Sequence, residues 1–116
     1  MVDPISPALS GLSALGKKLE VTANNIANVN TNGFKKSRAI LEDTSPSGVK
    51  VSIDKVETPG SPLFEEGTEK PEESSNVSVD EEMINLITTR HAYTANLKSI
   101  KTMDEILGSI IDILAR

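Results

Sequence analysis

Val79, Met83, Leu86, Tyr93, Leu97, Ile100, Leu107, Ile111 and Leu114 fall on one series of alternating four- and three-residue steps, interrupted at Arg90 and Asp104. That spacing puts apolar side chains along one seam of an α-helix. A helix over about 79–115 is roughly 55 Å long at 1.5 Å per residue. A compact globule of this chain length has a radius of gyration of only about 13 Å. The helix therefore dictates an elongated molecule.

A second series runs through Ile5, Leu9, Leu12, Gly16, Leu19, Ala23 and Ile26 and predicts a helix of about 35 Å. Its start reads either as Ser6 capping before Pro7 or as Asp3 before Pro4. Asn28, Asn30, Asn32 and Gly33 favour turn conformations and end it. Gly11 and Gly16 each weaken it by about 1 kcal/mol relative to Ala. Small residues such as Ala8, Ser10 and Ala14 leave room for another helix to approach closely.

The expected fold is mainly α: an elongated two-helix coiled-coil hairpin, parallel or antiparallel, with a small β-hairpin and loop region between the helices. Three regions follow: 1–33, 34–74 and 75–116. Counted over 1–38, 39–76 and 77–116, the formal charges are +3, −6 and −2. In the centre, Val49, Val51 and Ile53 alternate with polar residues as in a half-buried strand, and Phe34 to Leu41 supplies a second. Few apolar positions are available to fix their register. Ser78-Val79-Asp80-Glu81 reads as a capping box that opens the long helix.

Apolar surface is left over. Met103, Ile106, Ile110 and Ile113 form a second stripe beside Leu107, Ile111 and Leu114, which implies burial by other chains. Aromatic residues make up only 3% of the sequence, too few for a bulky core. With no Cys and a single His, disulfide scaffolds and the usual zinc arrangements are excluded. No span is long and apolar enough to insert in a bilayer. Met1-Val2-Asp3-Pro4 has neither the basic start nor the apolar run of a secretory signal. Lys35, Lys36 and Arg38 are too small a basic cluster for nucleic acid and read as a solvated face. Glu65-Glu66 and Glu72-Glu73 lack calcium-loop spacing and read as solvated too. Phosphate-loop and nucleophile-elbow motifs are missing, and His91 has no partner for catalysis, so neither enzyme chemistry nor a cofactor is expected.

Ala23-Asn24-Asn25-Ile26-Ala27-Asn28-Val29-Asn30-Thr31-Asn32-Gly33-Phe34-Lys35 resembles the N-terminal signature of the bacterial flagellar basal-body rod and hook (axial) proteins. Ser75-Asn76-Val77-Ser78-Val79-Asp80-Glu81-Glu82-Met83, followed by His91-Ala92-Tyr93-Thr94-Ala95-Asn96, is similar to the family's C-terminal signature. The short chain is most like a proximal rod protein, although Glu73-Ser74-Ser75-Asn76-Val77 also looks like the distal rod and hook version. His91 stands where the family usually has Arg.

The resemblance implies a structural subunit whose terminal helices pair and then pack with those of neighbours. Its implied partners are copies of itself, other rod and hook proteins and the flagellar type III export apparatus. The implied location is the periplasmic rod of the basal body, reached without a cleaved signal peptide. Leu9, Leu12, Leu19, Ala23, Ile26, Met83, Leu86, Tyr93, Leu97, Ile100, Leu107, Ile111 and Leu114 are the expected helix-pairing and assembly residues. Asn24, Asn25 and Asn28 either bond across subunits or only terminate the first helix, and the resemblance favours the first. The other signature positions are Ile26, Ala27, Thr31, Gly33, Phe34, Asn76, Val77, Glu82, Ala92, Tyr93 and Asn96. A soluble helical module that captures other axial proteins is the alternative.

Overall fold

The computed structural model describes residues 5–67 and 69–116. Helix α1 spans Ile5–Ala27, β1 Ser37–Asp43, β2 Val49–Lys55, β3 Pro62–Leu63, β4 Glu72–Glu73 and helix α2 Val79–Leu114. The molecule measures 82 × 25 × 15 Å with a radius of gyration of 20.7 Å, as the helix lengths require. The helices are antiparallel: Asn96 meets Ala8, Tyr93 meets Gly16, and Glu82 shares a cleft with Thr22. That settles the parallel-or-antiparallel choice.

Helix α1 already includes Ile5 and Ser6, so Ser6 is not its cap; Pro7 sits in the first turn, where its missing N–H costs nothing. The alternative start at Asp3-Pro4 lies outside the described residues. Gly33, at a φ of +74°, takes the left-handed conformation that redirects the chain toward β1. Ser78 is the N-cap of α2, but the capping-box bond is absent. The Glu81 carboxylate lies 3.4 Å from Lys36 Nζ instead of turning back to the cap.

β1 and β2 pair antiparallel from Ser37↔Lys55 to Asp43↔Val49. Helix α1 fixes that hairpin at both ends. Ser10 Oγ accepts the Val49 N–H at 2.9 Å, and Asn25 grips Ser37. The fifteen residues from Ser10 to Asn25 rise about 22 Å along a helix, and a seven-residue strand spans about 20 Å. The two lengths match, so polar anchors on α1 set the register that apolar residues were too few to set.

Among the described residues, Ala14 is the one buried hydrophobic side chain, at 3% exposure; Thr22, Asn25, Glu82 and Thr89 are the buried polar ones. From Asp104 to the end of α2 every side chain is exposed. Among the described residues the antiparallel pairing stops there, and the last turns of α2 run beyond Ile5.

Candidate assembly surface

Three residues of the α2 series, Leu86, Tyr93 and Ile100, are partly covered within the hairpin. The intervening inward positions belong to Glu82, Thr89 and Asn96, one residue before Met83, Arg90 and Leu97. Met83 and Leu97 are 43% and 49% exposed, and Leu9, Ala23, Leu107, Ile111 and Leu114 are exposed as well. As residues of the intrachain seam these seven positions are therefore corrected. Leu12, Leu19 and Ile26 remain half-buried on α1.

The reason is steric. Asn96 donates from Nδ2 to the Ala8 carbonyl at 2.8 Å, and a Cβ on Gly11 would stand only 3.1 Å from that nitrogen. The Tyr93 ring lies 3.8 Å from the corresponding point on Gly16. Small residues on α1 bring the helices so close that short polar side chains fill the gap, and the larger aliphatic ones rotate outward. Their outward face includes Met83, Ile84, Ile87 and Leu97, and in the overhang aliphatic side chains such as Ile106, Ile110, Ile111 and Ile113 are exposed around the helix. Ile5, Leu97, Ile100 and the aliphatic stems of Lys98 and Lys101 line an apolar groove of about 520 Å³.

Thr89 marks a cost of this packing, since its Oγ1 is buried with no hydrogen-bond partner. Thr89→Val keeps the shape and removes the unpaired hydroxyl. Thermal or urea denaturation should show a gain of about 1 kcal/mol.

Two asparagines of the N-terminal signature bond within the chain, and for the buried Asn25 this replaces the intersubunit reading. Asn25 is 1% exposed; its Oδ1 accepts the Ser37 N–H at 3.0 Å and its Nδ2 donates to the Ser37 carbonyl at 2.8 Å. Asn28 donates from Nδ2 to the Asn24 carbonyl at 2.9 Å and accepts from Thr31 Oγ1 at 3.1 Å, which terminates α1. In the second signature, Asn76 Oδ1 accepts the Lys36 N–H at 2.7 Å. Its Nδ2 donates to the carbonyls of Val56 and Thr58, at 2.8 and 2.9 Å. One side chain thus closes the open end of the β-hairpin.

Two charge clusters also differ from the solvated reading. Lys35 pairs with Glu73 at 2.7 Å, Lys36 pairs with Glu81, and Asn32 donates to Glu72 at 3.1 Å. These bonds hold β4 and the start of α2 against the chain that leaves α1. Phe34 and Val77 are half-buried beside them, whereas Ala27, Thr31, Gly33 and Ala92 are exposed. His91 is exposed on α2 and lines a shallow hollow with Ile87, Arg90 and Thr94. The described residues hold no group of three His, Asp or Glu placed to bind a metal, and no described helix is long and apolar enough to cross a membrane.

Both ends of the chain have counterparts in known proteins. Residues 6–35 match the family described as flagella basal body rod protein, and residues 72–113 match the C-terminal family of the flagellar basal body rod FlgEFG proteins. The flagellar basal-body rod protein FlgG of Buchnera aphidicola (subspecies Baizongia pistaciae) is 54% identical over 43 residues, or 37% of this chain. FlgG of Bacillus subtilis is 49% identical over 43 residues. The flagellar hook protein FlgE of Salmonella typhimurium is 34% identical over 70 residues, or 60% of this chain. Each match spans 16% of the relative's own length. The two family matches lie in the regions of α1 and α2 and together take in more than half the chain, which belongs to the flagellar rod and hook protein family.

Proposed function

We propose that this chain is a non-catalytic structural subunit of the flagellar axis, which adds to copies of itself and to other rod or hook proteins. The observation that carries the reading is the outward apolar face of α2, followed by an exposed overhang that has no partner among the described residues. Burying one aliphatic side chain from that surface is worth about 1.5–3 kcal/mol, so a few of them suffice to hold a neighbouring helix. The assembly residues are Met83, Leu97, Leu107, Ile111 and Leu114 on α2 with Leu9 and Ala23 on α1. Leu12, Leu19, Ile26, Leu86, Tyr93 and Ile100 hold the hairpin that presents them. Family membership further supports export through the flagellar type III apparatus to the periplasmic rod.

Localisation tests the reading. A tagged chain should co-purify with hook–basal bodies. Its absence from them, with retention in the cytosol bound to another axial protein, would replace the structural role with that of a soluble binding module.

A further inference from the structure

Helix α1, the start of β1 and the first turns of α2 enclose a polar cleft of about 250 Å³. Glu82 lines it and is 4% exposed. Among the described residues its carboxylate has neither a hydrogen bond nor an ion pair. Its oxygens keep contact with the water in the cleft, where an incoming cation could meet them. Lys36 is already committed to Glu81. Lys18 and Arg38 also line the cleft and have no acidic partner among the described residues. The cleft therefore suits an occupant with a cation for Glu82 and anions for Lys18 and Arg38.

The chain itself carries that pattern in the loop between β3 and β4. Glu69-Lys70-Pro71 is exposed, with Glu66 nearby in sequence, and among the described residues neither Lys70 nor these two acids has a partner. Phe64, at the start of the same loop, is 84% exposed. Asp54-Lys55-Val56-Glu57 alternates charge as well, but it begins within a strand paired to β1 and cannot enter a cleft.

We propose that the β3–β4 loop of one copy docks in the α1–β1–α2 cleft of the next, with Lys70 against Glu82 and Glu66 or Glu69 against Lys18 and Arg38. Loop and cleft are different surfaces of the same chain, so the contact is heterologous. It repeats head to tail and builds an open stack rather than a closed pair. The proposal rests on the axial-subunit reading and names one joint of that assembly.

The sequence has no cysteine, which gives a clean cross-linking background. Full-length Lys70→Cys chains mixed with Asn85→Cys chains, the second placed on the cleft wall, should form a disulfide-linked heterodimer under mild oxidation. The double variant should give a ladder of multimers. Lys70→Glu changes only an exposed side chain, so it should keep the native circular dichroism while self-association weakens roughly tenfold or more. Missing cross-links, or wild-type association by Lys70→Glu, would overturn the joint. Normal entry of Lys70→Glu into basal bodies would also overturn it while leaving the axial role standing. Absence of the wild-type chain from basal bodies would remove the axial role itself, and the solution cross-links read the joint independently of that result.

Discussion

Asn25→Ala should lower stability by about 2–4 kcal/mol, because it strips partners from both polar groups of one strand residue. Val56 N–H donates to the Lys36 carbonyl at 2.9 Å, so strand alternation turns the Ser37 N–H and C=O away from β2 and toward α1. Asn25 is what meets them there. In a chain this small, each kcal/mol moves the melting temperature by about 4–8 °C. A drop of about 8–32 °C is expected. Asn24→Ala, on the exposed side of the same helix, should stay within about 0.5 kcal/mol. Equal melting temperatures for the two variants would show that the grip on Ser37 contributes nothing.

Leu97→Asp should separate folding from assembly. Leu97 is half-exposed in the single chain, so the variant should melt within about 0.5 kcal/mol of the parent. Against a neighbour the same carboxylate would be stripped of water, at a cost of several kcal/mol unless it protonates or swings out. Incorporation into basal bodies should fail, and motility with it. Ser47→Asp, in the exposed turn between β1 and β2, should change neither. Normal incorporation of Leu97→Asp would remove the outward face of α2 from the assembly surface.

Helix periodicity made the elongated shape and both long helices legible, and the alternation around Val51 marked the hairpin. The inward positions were harder to read, because a seam assigned from apolar spacing assumes that the largest aliphatic residues point at the partner helix. Here the partner presents Gly11 and Gly16, and the gap admits Thr89 and Asn96 in place of Arg90 and Leu97. Had the spacing been weighed against the small residues facing it, the one-residue offset was recoverable. The roles of Asn25 and Asn76 were not. Each bonds to backbone groups many residues away, and any strand has backbone groups, so no local pattern marks the one that will be gripped. Ser10 escaped notice for the same reason: it reads as a small helix residue until Val49 is placed beside it.

The overhang of α2 bears on how reversibly such a subunit adds to anything. An isolated helix of a dozen residues is marginal in water, since little beyond its own hydrogen bonds opposes fraying. Any partner that covers Ile110, Ile111 and Ile113 must first hold those turns in place, and the ordering cost is deducted from what the buried surface yields. In the proposed assembly a newly added copy would then be bound less tightly than its apolar area suggests and would be free to leave if seated in the wrong register. Once a further copy covers the remaining face, the same turns are already ordered, and the second contact forms without that deduction. In the assembly proposed above, tolerance of error at the growing end and permanence behind it would follow from these eleven exposed residues.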